Sequence, residues 1–258
     1  MNGKLGILTY ISTRLRDLRI SVAFLGIALL LVATCVWAYN EFISSPPFVD
    51  PQKYPVRGLD VSSHNGMMNL DAAAAEGYRF IFIKASEGIS YKDPNFRINY
   101  QKASHAGFKI GAYHFFRFDC DGIGQARNLL SAIGKRPLEL GVAIDVEENG
   151  NAEGIDSLTI AGRLVSMAEY LNMSGYRVTF YSNREGYYDY IREAAPGACL
   201  WICSFNRNPI NAEWTFWQYN HRGKVKGIRG DVDLNAFCGS EKEWENYLDG
   251  AQWPYDNR

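Results

Sequence analysis

Gly141-Val142-Ala143-Ile144-Asp145-Val146-Glu147-Glu148 is the stretch on which the reading of this chain turns. An unbroken apolar run of this length suits a strand covered on both faces and is too short for a helix. Two acids then follow, Asp145 and Glu147. They lie two positions apart, so an extended backbone sends both side chains off one face. Carboxylates spaced by ~7 Å on an apolar strand repel unless one of them keeps its proton. A buried strand ending in paired acids points to a parallel α/β sheet with chemistry at its C-terminal edge. The bland alternative is a pair that caps the next helix or binds an arginine. Acids elsewhere in the chain decide between the two.

Outward from this strand (141–147), short segments rich in Ile, Val, Phe and Tyr recur at 57–62, 79–85, 109–116, 177–182, 199–204, 214–219 and 225–233. Helix-like stretches separate the earlier ones, at 69–77, 94–107, 121–134, 154–175 and 184–195. Later connections are too short for a normal helix, and a last helix at 241–248 closes the pattern. Strands in βα order predict an α/β fold, an irregular (β/α) TIM-like barrel whose last third departs from the repeat. An open doubly wound sheet is the alternative, but no glycine-rich phosphate loop follows any strand. Asp60 closes the first segment, in Gly58-Leu59-Asp60-Val61-Ser62. Asp231 and Asp233 close the last, in Gly230-Asp231-Val232-Asp233-Leu234-Asn235. The first and last strands of a closed barrel are neighbours, so Asp60 and Asp233 are expected to face one another. Acids converging from three strand ends favour a site over a set of caps.

Residues 20–39 carry no charge and include Phe24, Leu25, Leu29, Leu30, Leu31 and Trp37. Twenty helical residues match a ~30 Å hydrocarbon layer. Lys4, Arg14, Arg16 and Arg19 precede them against Asp17 alone, which predicts a cytoplasmic N-terminus. The expected plan is a basic cytoplasmic segment over 1–19, a transmembrane anchor over 20–39, a Pro-containing linker over 40–55, a barrel over 56–250 and a tail over 251–258. This makes the protein single-pass in the cytoplasmic membrane with its domain outside. The alternative is a cleaved signal peptide and a secreted domain.

A net charge of −1 gives no broad electrostatic grip on nucleic acid, which is therefore not an expected partner. With 47% hydrophobic residues the chain is a folding one. Its 16 Tyr, 14 Phe and 6 Trp fill cores in the ordinary case, and also suit clefts where a sugar's C–H face packs on a ring. Cys199 and Cys203 fall on one face of a strand, too far apart to bridge, and no disulfide is expected. Asp60, Asp145, Glu147 and Asp233 have the chemistry of a hard-cation site, and His64 and His114 could join them around zinc. No metal-ligand spacing supports this, and His114 reads as a hydrogen-bonded barrel residue. No catalytic metal is expected. Gly-x-Ser-x-Gly is absent, so a serine nucleophile is not indicated either.

In order and spacing these segments resemble glycoside hydrolase family 25, the lysozymes of the Chalaropsis type. The resemblance runs over residues 56–248. It rests on Gly58-Leu59-Asp60-Val61-Ser62, Phe82-Ile83-Lys84-Ala85-Ser86-Glu87-Gly88, Gly111-Ala112-Tyr113-His114-Phe115, Ala143-Ile144-Asp145-Val146-Glu147, Leu200-Trp201-Ile202, Trp217-Gln218-Tyr219 and Asp231-Val232-Asp233-Leu234-Asn235. It implies an irregular (β/α) barrel that cleaves the β-1,4 bond from N-acetylmuramic acid to N-acetylglucosamine in peptidoglycan strands, with retention and no cofactor. By the same implication Glu147 is the general acid. Asp145 orients the substrate's N-acetyl group or acts more directly at the anomeric carbon. Asp60 and Asp233 tune Glu147 and hold the sugar, and Asp231 faces solvent. Tyr113, Tyr181, Trp201 and Gln218 match cleft-lining positions, with core packing the alternative for Tyr181 and Trp201. Lys84 and Glu87 are expected to pair at the rim, outside the site.

The chain departs from the family pattern at Tyr181-Ser182-Asn183, in the six residues from Cys203 to Asn208, and in its N-terminal anchor, which suggests a wall-remodelling role. A chitinase-like barrel is the nearest rival, but its strand pattern wants an Asp where Ala143 stands. Two further rivals, a glycan-binding barrel without turnover and a tethered scaffold, leave the four convergent acids unexplained.

Overall fold

The computed structural model describes residues 2–44, 47, 49–205, 209 and 213–250, with side chains of the first helix described at 14 and 19–39. The expected tail 251–258 lies outside the described residues. So do linker positions 45, 46 and 48, and residues 206–208 of the connection after Cys203. Contacts divide the chain into two units, Met1–Ser45 and Pro46–Arg258.

The first unit is one helix, α1 (Asn2–Ser44). Within it the 21-residue span Arg19–Tyr39 is uncharged after Arg19 and strongly apolar on average, and at 1.5 Å per residue it covers ~31 Å. Phe24, Leu30 and Trp37 are exposed along it. Length and composition suit a membrane crossing and equally a signal sequence.

The second unit follows the chain through β1 (Arg57–Val61), α2 (Leu70–Ala75), β2 (Tyr78–Glu87), β3 (Tyr91–Lys92), α3 (Phe96–His105), β4 (Lys109–Phe115) and α4 (Gly122–Ile133). It continues with β5 (Gly141–Asp145), α5 (Ser157–Met173), β6 (Val178–Ser182), α6 (Arg184–Gly186), β7 (Cys199–Cys203), β8 (Phe216–Gly223), β9 (Val232–Phe237) and α7 (Glu241–Leu248). Strands neighbour one another in the order β1-β9-β8-β7-β6-β5-β4-β2, and a β1–β2 pairing closes the ring. This is an eight-stranded closed barrel with helices; β3 is a two-residue addition on the end of β2. All pairs around the ring are parallel except those of β9, which runs antiparallel to both β8 and β1. The irregular last third is therefore one reversed strand, reached by a hairpin in place of a helical crossover.

Helix α1 continues to Ser44, into the expected linker 40–55, and the strand expected over 214–219 runs over Phe216–Gly223. Two further boundaries differ more. The last strand, expected over 225–233, begins only at Val232. Val225 and Ile228 are buried as the reading required, but in a loop, and Gly227 and Gly230 carry positive φ angles that no extended strand accepts. The helix expected over 184–195 shrinks to α6 and a wide turn over Tyr187–Ile191.

Alternation along β2 sorts the core into two parts. Phe80 and Phe82 point into the barrel, while Ile81 and Ile83 face the surrounding helices. The two inward rings need room from their neighbours. A Cβ on Gly58 would lie 2.3 Å from the Phe80 ring, and one on Gly111 would lie 2.4 Å from Phe82, so glycine is required at both. Trp201 stacks on Phe82 with centroids 4.4 Å apart. At the opposite end, Trp244 and Tyr247 of α7 pack on Phe80, Phe216 and Phe237 and close the bottom of the barrel. The mouth at the parallel strands' C-terminal ends is where the acidic side chains gather. Ahead of β1, Val49 and Tyr54 of the expected linker pack on the outer core, Tyr54 against Trp214 and Trp217.

Candidate active site

Strand direction brings the acids together. Asp60 is the fourth residue of β1, and its register partner on β9 is Asp233. Because β9 runs backwards, its N-terminal end lies at the mouth, where the C-terminal ends of the parallel strands lie. Asp233 thus reaches the mouth from the start of its strand, whereas the sequence placed it at the end. Asp145 ends β5. Glu147 follows two residues later, on a backbone kept in line by Val146 N–H donating to the Tyr181 carbonyl at 2.9 Å. Asn151 fixes the next turn by donating to the Glu147 carbonyl at 2.8 Å and the Phe116 carbonyl at 2.9 Å.

The four acids line one cavity of about 300 Å³, together with Tyr113, Tyr181, Trp201, Gln218, Cys203, Phe205 and His221. All eight residues singled out by sequence border this space. Their environments differ. Trp201 is 2% exposed, and its indole N–H donates to the Asn235 side-chain oxygen at 2.8 Å, so it forms floor more than wall. Gln218 was expected to offer its amide to a substrate, but both ends are engaged within the protein. Its oxygen accepts from the Tyr181 hydroxyl at 2.9 Å, and its NH₂ donates to Asp60 Oδ2 at 2.9 Å. Asn235 donates to the same oxygen at 2.8 Å. Two donor chains, Tyr181–Gln218 and Trp201–Asn235, therefore converge on Asp60.

These contacts set the proton affinities. Burial raises the Asp60 pKa to about 6, against the pull of hydrogen bonds from Asn235, Gln218 and Asp233. Burial first, and then the charges of Asp60 and Glu147, push Asp233 up to about 9. At neutral pH Asp233 holds a proton and donates it to ionised Asp60. Burial raises Glu147, the charge of Asp60 adds to this, and the Tyr181 hydroxyl and Lys84 oppose it. Asp145 is raised further, by burial and then by Glu147. Its Oδ1 is buried without a hydrogen-bond partner in the protein. A buried oxygen left without a donor disfavours the charged carboxylate, in line with the raised pKa.

Lys84 pairs with Glu87 at 2.9 Å, as the sequence suggested. His114 is buried and neutral, its pKa lowered by burial to about 4. Gln125 Oε1 accepts at 3.1 Å from its Nε2, which leaves Nδ1 to accept from the Ser86 hydroxyl at 2.8 Å. Asp231 is exposed and paired with Lys224. Among the described residues, no three His, Cys, Asp or Glu side chains converge closely enough to hold a metal ion. Sequence reasoning passed over Asn235, Asn151, Cys203, Phe205 and His221. For Asn235 a signal existed, because it lies two residues beyond Asp233 and so shares its face.

A barrel closed at one end, with protonated and ionised carboxylates side by side at the other, has the parts of an acid–base hydrolase. The comparisons narrow this class. Residues 59–228 match glycosyl hydrolases family 25, and the chain belongs to that family. The autolytic lysozyme of Clostridium acetobutylicum is 32% identical over 184 residues, covering 70% of this chain. The chain spans 56% of that relative's length. A family 25 glycosyl hydrolase from Bacillus anthracis superposes with a TM-score of 0.72 at 33% identity, over 79% of this chain and 97% of that one. A bacterial lysozyme from Streptomyces coelicolor gives a TM-score of 0.68 at 28% identity, over 76% and 98% of the two chains.

Proposed function

We propose that this chain is a lysozyme that hydrolyses the β-1,4 bond between N-acetylmuramic acid and N-acetylglucosamine in peptidoglycan, with retention of configuration. One observation carries the reading: Glu147 and Asp145 share a cavity with the Asp60–Asp233 pair and hold their protons more tightly than ordinary carboxyls. Glu147, kept protonated by burial and by the nearby Asp60 charge, gives its proton to the glycosidic oxygen as the C–O bond breaks. The substrate's own acetamido oxygen forms the new bond to the anomeric carbon from the opposite face. Asp145, which lines the cavity, holds the acetamido N–H. A water then attacks the anomeric carbon and passes its proton to the Glu147 carboxylate, and the acetamido oxygen leaves. Two inversions give net retention. Asp60, with Asp233 protonated against it, supplies the negative charge that favours positive character at the sugar. Tyr113 walls the pocket, and no step requires a cofactor.

The proposed site of action rests on the helix. An anchor over 20–39, with the basic segment 1–19 inside, would hold the barrel outside the cytoplasmic membrane, beside the wall it remodels. Cleavage of the helix would secrete the domain instead. The test is to incubate the protein with purified peptidoglycan, reduce the new ends and identify them by mass spectrometry. Reduced muramic acid is expected, and none from Glu147→Gln. Reduced glucosamine ends, or undiminished release by Glu147→Gln, would refute the proposal.

A further inference from the structure

Strand pairing stops short of Glu147. β5 ends at Asp145, and the last ties from the barrel reach only Val146. Its N–H donates to the Tyr181 carbonyl at 2.9 Å, and its carbonyl accepts from the Ser182 hydroxyl at 2.6 Å. Past Glu147 the chain turns through Glu148, Asn149 and Gly150, all exposed, and Gly150 takes a positive φ of 85°. A reacting group at such an edge keeps its place only if a supporting side chain holds it.

Asn151 does this from the far side of the turn. Its NH₂ donates to the Glu147 carbonyl at 2.8 Å and to the Phe116 carbonyl at 2.9 Å. Its side-chain oxygen accepts from the Phe118 N–H at 2.8 Å. One amide thus joins the end of β5 to the segment that follows β4. Among the described residues, no other group donates to the Glu147 carbonyl. The receiving segment is itself fixed. Gln125 accepts from the Arg117 N–H at 2.7 Å and donates to the Arg117 carbonyl at 3.0 Å. The Arg117 guanidinium donates to the Gly150 carbonyl, so the turn is held at a second point. Tyr190 reaches the same turn from outside, its hydroxyl donating to the exposed Glu148 carboxylate at 2.8 Å. That contact does not touch the Glu147 backbone.

We propose that Asn151 is a positioning residue for the reaction, fixing the Glu147 backbone so that the carboxyl points into the cavity beside Asp60. The proposal rests on the hydrolase reading and adds to it the group that aims the acid. A misplacement of ~1 Å can cost on the order of a hundredfold in rate. A carboxyl that swings towards water also loses the burial that raises its proton affinity. Full-length, glutamate-labelled protein in detergent is followed by carbon-13 NMR, and the same protein is assayed on soluble peptidoglycan strands. In Asn151→Ala the Glu147 midpoint should fall towards the ordinary ~4.3, and the basic limb of kcat/KM should fall with it. kcat should drop about tenfold or more, with KM kept within about twofold. Tyr190→Phe loosens the same turn without touching the Glu147 carbonyl, and should leave midpoint and kcat unchanged. If the alanine variant does not fold, Asn151→Ser, too short to span both carbonyls, carries the same predictions. An unmoved midpoint in a folded Asn151 variant, an equal shift in Tyr190→Phe, or a raised KM with kcat kept would each overturn the proposal. Wild-type protein that cuts no peptidoglycan sinks the hydrolase reading, and the midpoint alone then decides the role of Asn151.

Discussion

Asp60 and Asp233 sit opposite one another in register across β1 and β9, two acids on facing positions of an antiparallel pair. Facing residues of such a pair have Cα atoms only ~4.5–5.5 Å apart, where two buried anions would repel severely. A single proton resolves this, carried by Asp233 and directed at Asp60.

That proton makes stability depend on pH in a definite direction. Asp233 has a pKa of about 9 in the folded chain against an ordinary 3.8, so between these values the folded state binds more protons than the unfolded. Stability is therefore full below the lower value and declines as pH rises towards the higher. Thermal unfolding followed by circular dichroism should show Tm falling from pH 5 to pH 9. Asp233→Asn should flatten this slope. Equal slopes in the two proteins would show that the proton lies elsewhere.

On the proposed mechanism, the donors on Asp60 should set the acid side of the activity profile. Gln218 and Asn235 both stabilise the Asp60 anion, so losing either raises its pKa above about 6. Hydrogen bonds to charged groups contribute ~1.5 kcal/mol or more, about one pKa unit. The acidic limb of kcat/KM in Asn235→Ala should move up by about that unit. A lower plateau with an unmoved limb would mean that Asn235 only supports the floor.

Trp244 should matter to folding and not to the chemistry. It is buried against Phe80 and Phe237 at the closed end, far from the acids. Truncating a buried aromatic of this size costs ~3–5 kcal/mol. Urea unfolding of Trp244→Ala should show a loss in that range, with kcat for the folded fraction kept. A loss under ~1 kcal/mol would mean that α7 does not seal the barrel.

Much of this arrangement was legible in the sequence where the signal was local. Gly141–Asp145 read as a buried strand because nothing else accommodates four apolar residues followed by acids. Helix α7 lies where the sequence placed it, over 241–248, and a capping box between Ser240 and Glu243 holds its start. The reversal of β9 was not legible, since Val225 and Ile228 mimic a strand while packing as a loop. Asp233 was still assigned to the mouth beside Asp60, because closure makes the first and last strands neighbours whichever way the last one runs. The chains Tyr181–Gln218–Asp60 and Trp201–Asn235–Asp60 join residues far apart in sequence, and no spacing rule encodes them.

The central claim is that Glu147 enters the reaction carrying a proton which its surroundings hold in place. Carbon-13 NMR of the Glu147 side-chain carboxyl in glutamate-labelled protein, assigned by its loss in Glu147→Gln, reads that proton directly. The account predicts a titration midpoint clearly above the ordinary ~4.3 of a glutamate, coinciding with the basic limb of kcat/KM. A Glu147 that titrates at the ordinary value, or whose midpoint bears no relation to that limb, would contradict it.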